Sequence, residues 1–166
     1  MNLEEYARMY EAEDRQWWYA GMRAISLALL RPVVARGARI LDAGCGTGRN
    51  LAEFVGWARP AGVDLSEEAM RFCGERGVAV ARGRLQALPF PDAAFDAVTS
   101  FDVLYHRWIE DDAAAVAELV RVLRPGGRLV VMSWSGPEHN EWFTATSAAL
   151  AAGREMQGPP IGAPGP

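Results

Sequence analysis

Five residues have the types and spacing to do chemistry: Asp42, Gly44, Gly46, Gly48 and Asp64. The first four stand in "ILDAGCGTGRN", residues 40–50, and the fifth in "GVDLS", residues 62–66. Glycines at this spacing let the backbone turn sharply and approach a ligand closely, with helix N-terminal amides aimed at it. The pattern is G-x-G-x-G; the G-x-G-x-x-G of dinucleotide sites is absent. A carboxylate at Asp42 would repel a pyrophosphate and attract a cation, or be satisfied by the loop amides. Asp64 lies sixteen residues beyond Gly48. It can accept two hydrogen bonds from a ribose diol, or serve the first turn of the next helix. Together the two acids and the glycines imply an adenosine-like ligand that lacks phosphate and carries positive charge. S-adenosylmethionine, with ammonium and sulfonium centres, meets that description.

The elements that must position these residues alternate regularly. Asp14 to Leu30 has a helical pattern, with Trp18, Met22, Ile25 and Leu29 on one face and Pro32 beyond its end. "ARILDAG" reads as a buried strand entering the glycine turn, and "RNLAEFVGWA" as a helix. "AGVDLS" is a second strand. Ser66 caps the helix "EEAMRFCGERG", which Gly74 or Gly77 closes. "VAVARG" and "FDAVTSF" are the third and fourth strands, separated by the turn "LPFPDAA". The apolar run of the fourth suggests burial on both faces. Asp112 to Leu123 aligns Val116, Leu119, Val120 and Leu123 on one helical stripe; "RPGG" stops it, and "RLVVMSW" is a fifth strand. Such alternation calls for a parallel sheet with helices on both faces. Its ligands sit at the carboxyl ends of the strands, where strand order reverses, and the glycine turn follows the first strand.

Composition excludes several functions. The chain has 166 residues, half of them hydrophobic and 23% charged, with a net charge of −4. Nothing electrostatic argues for nucleic acid or an anionic membrane surface. There is no apolar run of membrane-spanning length, and the N-terminus is acidic, unlike a signal peptide, so a cytoplasmic location is expected. All 17 basic residues are arginine. The absence of lysine removes P-loop phosphate binding, Schiff-base chemistry and lysine general bases. Cys45 and Cys73 lack metal-ligand spacing, His106 and His139 lie far apart, and no metal site is expected.

These motifs give the chain a resemblance to the class I S-adenosylmethionine-dependent methyltransferases, particularly the small-molecule branch known as methyltransferase type 11. "LDAGCGTG" looks like that family's first motif and "GVDLSEEAM" like its ribose-acid strand. "LQALPFPDAAFDAVTSFDVLYH" and "ELVRVLRPGGRLVV" resemble the segments that follow, so the likeness spans residues 15 to 138. It implies a Rossmann-like three-layer α/β/α sandwich with a mostly parallel sheet of at least five strands. Residues 1–36 would form a helical lid or cap, 37–136 the cofactor-binding core, and 137–166 a weak helix and Pro/Gly-rich tail.

By position, the resemblance implies that backbone at Gly44, Cys45 and Gly46 lines the methionine portion, with Asp42 acting on its ammonium. Asp64 would hold the ribose, and Leu65 would pack on the adenine. Leu85 would offer its amide to the ring, while Ser100 and Phe101 flank the ammonium and the methyl group. Where the family has an aspartate after the glycine of "GD", this chain has Gly83 then Arg84. An arginine cannot accept from the exocyclic amine but can stack on the ring or turn to solvent. The resemblance also implies a C-terminal end that this chain lacks, which leaves the fifth strand as an open edge and makes a homodimer through that edge an expectation.

The implied reaction is in-line transfer of a methyl group to a small-molecule acceptor, releasing S-adenosylhomocysteine. A base is needed where the acceptor must lose a proton, and His106, just past the fourth strand, is the candidate. Asp102 and Tyr105 are weaker candidates for that role, since helix capping and packing account for them. In "QWWYAGMR", Tyr19 and Trp17 are candidates for a lid over the sulfonium, while Trp18 packs on the sheet. Two other readings compete: a cofactor-binding or partner-dependent subunit without catalysis, and a nicotinamide-dependent oxidoreductase, which the glycine spacing and Asp42 disfavour.

Overall fold

The computed structural model describes residues 3–106 and 108–134, with 136, 139, 144 and 148 beyond them. The expected tail, 137–166, falls almost wholly outside the described residues. Residues Met1–Met132 form one compact unit, so the helical segment before the first strand belongs with the sheet.

The five strands among the described residues are β1 (Arg39–Ala43), β2 (Arg59–Asp64), β3 (Val80–Arg82), β4 (Phe95–Phe101) and β5 (Leu123–Met132). They form one sheet in the order β3-β2-β1-β4-β5. Every neighbouring pair is parallel. The chain steps outward from β1 through β2 to β3, then crosses to the other side of β1 for β4 and β5. The reversal falls between β1 and β4, which places the turn after β1 at the crevice where such sheets bind ligands.

Adjacent residues of β1 and β4 serve opposite layers. Ile40 and Ala97 enter a core with Leu30, Val34, Leu51 and Phe54. Leu41 and Val98 enter another with Leu85, Leu88, Ala115, Leu119 and Val122. The two-residue period of a strand with both faces buried accounts for this division. Helices α2 (Trp17–Leu30) and α3 (Arg49–Val55) contribute to the first core, and α5 (Asp112–Arg121) to the second.

Local chemistry sets the helix ends. The Ser66 hydroxyl accepts from the Glu68 amide at the start of α4 (Glu67–Glu75), and Gly77 follows its end at φ +68°. Asp111 accepts from the Ala114 amide at 2.8 Å to cap α5. Arg121 then donates to the carbonyls of Leu88 and Phe90 and pairs with Asp92 and Glu118, fastening the "LPFPDAA" turn to α5.

Leu3–Ala12 forms a helix, α1, inside the segment 1–36 read as a helical lid or cap. Three sequence expectations need correction. The next helix begins at Trp17, and its expected inner face is wrong: Ile25 and Leu29 are 57% and 63% exposed, whereas Ser26 and Leu30 are buried. This helix is apolar on every side, so its periodicity does not select a face. In α5 the buried stripe is Ala115, Leu119 and then Val122, while Val116 and Val120 are exposed. Finally, "RPGG" is not a turn ahead of the fifth strand but lies within β5, where the register with β4 shifts between Phe95 and Ala97. That irregularity accommodates Pro125 and Gly126, which regular pairing would not.

Candidate functional site

β1 delivers Asp42 to the crevice almost completely buried, at 1% exposure. Thr99 on β4 donates its hydroxyl to Asp42 Oδ1 at 2.7 Å, and Oδ2 has no hydrogen-bond partner among the described residues. Burial pushes this carboxyl up to about 7, the Thr99 hydrogen bond opposes the rise, and the negative charge of Asp64 adds to it. An orphaned carboxylate oxygen in such a place is costly unless a donor or cation meets it.

The turn after β1 depends on glycine at two positions in particular. Gly44 has φ +81°, and a Cβ there would collide with the Val103 side chain. Gly48, at φ +78°, occupies the N-cap of α3, where a Cβ would come within 2.8 Å of Cys73 Sγ and Val78. Both the backbone hand and the space exclude larger residues. The loop amides are engaged within the chain: Gly44 and Cys45 donate to Val63 O at 2.8 and 3.1 Å, and Gly48 to Cys45 O at 3.0 Å. Gly46 donates to Asp64 Oδ2 at 2.9 Å. These positions therefore offer no nest of free N–H groups to a phosphate, and the Asp64 carboxylate already accepts from one of them. That set of groups fits a cationic nucleoside without phosphates better than a dinucleotide.

Asp64 ends β2 and is 8% exposed. Besides Gly46, it accepts from the Ser66 amide at 3.0 Å and from the Tyr6 hydroxyl at 3.3 Å, both on Oδ1. Tyr6 belongs to α1, which packs on α4: Tyr6, Ala69 and Phe72 form a buried cluster, and Tyr10 stacks on Phe72 at 4.6 Å between centroids. Glu13 follows α1, is buried, accepts from the Thr47 hydroxyl at 2.6 Å and pairs with Arg76. Burial raises its carboxyl, with Thr47 and Arg76 pulling the other way. Asp14 pairs with Arg49 at the start of α3.

The remaining site residues spread around this centre. Leu65 is 39% exposed beside Asp64, an open apolar surface. Arg84 is exposed to solvent, whereas the Leu85 side chain is buried in the core. Ser100 is buried and donates its hydroxyl to Ala43 O at 3.0 Å, tying β4 to β1. Phe101 packs half-buried against the first core. Tyr19 on α2 is half-buried; burial raises its phenol, and the charges of Glu13 and Asp102 add to the rise. His106 is half-buried and stacks on Trp108 at 4.0 Å between ring centroids; burial holds its imidazole below the ordinary value. Trp17 points away, 78% exposed and edge-on to Trp18.

Sequence reasoning ranked Asp102 behind His106 and ascribed it to helix capping. It caps no helix: the cap of α5 is Asp111. Asp102 follows β4 in the left-handed region, at φ +57°, with its amide donating to Met132 O. Its carboxyl is half-buried, burial raises it, and Tyr19 and Tyr105 both feel its charge. Tyr6, Thr47 and Glu13 were missed. A signal was present, since Tyr6, Met9, Tyr10 and Glu13 recur at helical spacing.

The crevice can be compared with known proteins on this basis. The chain is 35% identical over 136 residues to a demethylmenaquinone methyltransferase of Mycolicibacterium vanbaalenii, covering 80% of this chain and 54% of that protein. It is 39% identical over 100 residues to a fatty-acid O-methyltransferase of Mycolicibacterium smegmatis, covering 55% and 35%. The chain thus spans about half the length, or less, of the curated relatives it matches. Among solved structures, DesVI of Streptomyces venezuelae superimposes with a TM-score of 0.66 at 27% identity, over 82% of this chain and 58% of that one. The cyclase SpnF does so with 0.61 at 29%, over 70% and 47%. The profile of methyltransferase domains of type 11 matches residues 41–131, from the strand that carries Asp42 to the fifth strand. With the glycine turn, the strand that ends in Asp64 and the sheet order within that span, the chain belongs to the methyltransferase domain family.

Proposed function

We propose that this chain binds S-adenosylmethionine and transfers its methyl group to a small-molecule acceptor. The observation that carries the reading is Asp42 Oδ2, a buried carboxylate oxygen without a partner among the described residues, beside a glycine turn whose amides face inward. When bound, the cofactor supplies a methyl group on a sulfonium, which leaves by in-line displacement. Asp42 would receive its ammonium, and Asp64 the ribose diol. Gly44, Cys45, Gly46 and Gly48 would give the close backbone surface for the methionine portion. Leu65 would lie against the adenine, with the Leu85 amide at its edge and Arg84 free to stack or stay in solvent. Ser100 and Phe101 would flank the methyl end, and Tyr19 would close over it from α2.

On the acceptor side, the groups at the carboxyl end of β4 divide the work. The half-buried Asp102 carboxyl accepts a hydrogen bond from an acceptor O–H or N–H, and can take that proton as the new bond forms. His106, held below its ordinary value, is neutral at pH 7 and so can serve as a base as well. Holding the nucleophile in line is the larger contribution, worth up to ~7–11 kcal/mol. The names of the relatives support a small-molecule acceptor, and the net charge of −4 supports neither nucleic acid nor an anionic membrane as partner. No helix among the described residues is long and apolar enough to cross a membrane, which accords with a cytoplasmic setting.

A second reading is cofactor binding without methyl transfer; the likeness to a chain described as a cyclase favours it. Production of S-adenosylhomocysteine on incubation with a cell metabolite extract separates the two. Accumulation that depends on the extract supports transfer, and tight binding with no accumulation supports the second reading.

A further inference from the structure

Helix α1 does more than pad the fold, because it reaches the acid assigned to the ribose. A carboxylate offers about four lone-pair positions. On Asp64 three are taken: by the amides of Gly46 and Ser66, and by the hydroxyl of Tyr6. A ribose diol would bring two more hydroxyl donors, one more than the carboxylate can accept. The two amides belong to the backbone on either side of Asp64's own crevice and are fixed by the glycine turn and the α4 cap. Tyr6 comes from a separate helix and is the donor that can leave.

The rest of α1 covers the same place. Met9 Cε lies 3.3 Å from the position a Cβ on Gly46 would take, so the helix lies directly over the turn. Tyr10 stacks on Phe72, and the Arg76 guanidinium sits 4.4 Å from the Tyr10 ring centroid. Just past the helix, Glu13 holds both Thr47, within the glycine turn, and Arg76, at the end of α4. Asp14 holds Arg49. The helix is thus docked by an aromatic cluster at one end and latched by ion pairs at the other.

We infer that α1 is an internal competitor for the cofactor site, with the Tyr6 hydroxyl standing on Asp64 where a ribose hydroxyl would bind. Cofactor entry then requires Tyr6 to leave Asp64, and the docked helix holds the site closed. The inference rests on the reading of Asp64 as the ribose acid.

Calorimetric titration of the full chain and its Tyr6→Phe variant with S-adenosylhomocysteine tests it, paired with amide hydrogen exchange of residues 3–14. Phenylalanine keeps the ring in the cluster with Ala69 and Phe72 and removes the competing donor. The expected result is a dissociation constant lower in Tyr6→Phe by roughly three- to tenfold, the span of an ordinary net hydrogen bond, as befits a contact of 3.3 Å. In the unsubstituted chain, exchange over residues 3–14 should speed up when the ligand is added. Unchanged or weaker binding by Tyr6→Phe, or slower exchange on ligand addition, overturns the competition and makes Tyr6 a partner of the ligand. If neither protein binds while both melt cooperatively, the cofactor reading itself falls and the competition with it.

Discussion

Asp42 is the residue on which the proposed chemistry turns, and its ionisation makes a prediction with a definite sign. Folding raises this carboxyl from an ordinary 3.8 to about 7, so the unfolded chain gives up its proton first. The stability tied to its protonated state is complete below the unfolded value and is lost as pH rises through the folded one. The unliganded protein should therefore lose melting temperature between about pH 4 and 7, and Asp42→Asn should lack that part of the loss. A cation on Oδ2 reverses the preference, so the affinity gap between the unsubstituted chain and Asp42→Asn should widen from pH 6 to 8. At pH 8 the gap should reach about 1.5–3 kcal/mol. Asp102 allows a second test at this scale. Its left-handed backbone favours glycine by about 1 kcal/mol, so Asp102→Gly should melt a few degrees higher while losing extract-dependent formation of S-adenosylhomocysteine. A variant that melts higher and retains full turnover would remove Asp102 from the acceptor side. Asp42 was legible from the sequence because its role is local to the glycine turn. Asp102 was not, since "FDVLYH" gives no sign that the chain turns left-handed at its second residue.

Among the elements, those that follow a local rule were legible and those that depend on partners were not. β1 and β4 are short, largely apolar runs bounded by turn residues, and the cap of α4 is written in Ser66. α1 mixes charged and aromatic residues and makes sense only against α4. α5 is rich in alanine, so its apolar stripe could be placed on either side of Leu119. Leu119→Ala should cost about 2–5 kcal/mol, whereas Val120→Ala should stay within about 0.5 kcal/mol, as read by chemical denaturation. Equal losses at both positions would contradict a core built on Leu119 with Val120 facing solvent. Gly48→Ala should cost about 1–3 kcal/mol through its positive φ and the approach of Cys73 and Val78.

For the molecule as a whole, the order β3-β2-β1-β4-β5 leaves β3 and β5 with one neighbour each among the described residues. β3 has three residues, whereas β5 has ten, with Val131 exposed. A long strand with one neighbour among the described residues is a template for pairing, and we propose a homodimer through β5 on that ground. Light scattering should give a dimer at tens of micromolar, and Val131→Lys should shift it to monomer without lowering the melting temperature. A monomer throughout would remove that association and leave the site untouched. The parallel sheet with helices on both faces was foreseeable from strand and helix alternation, whereas the order of its strands comes from the structure. The edge at β5 was expected only through the family resemblance, since what lies beside a strand is not written in its own residues. The central claim, that two acids around a glycine turn are built for a phosphate-free cationic nucleoside, meets its most direct test in calorimetric titration of the purified chain with S-adenosylmethionine and, in parallel, with NAD. Saturable 1:1 binding of the sulfonium compound with no heat from NAD is the expected result. Binding of NAD with none of S-adenosylmethionine would contradict it.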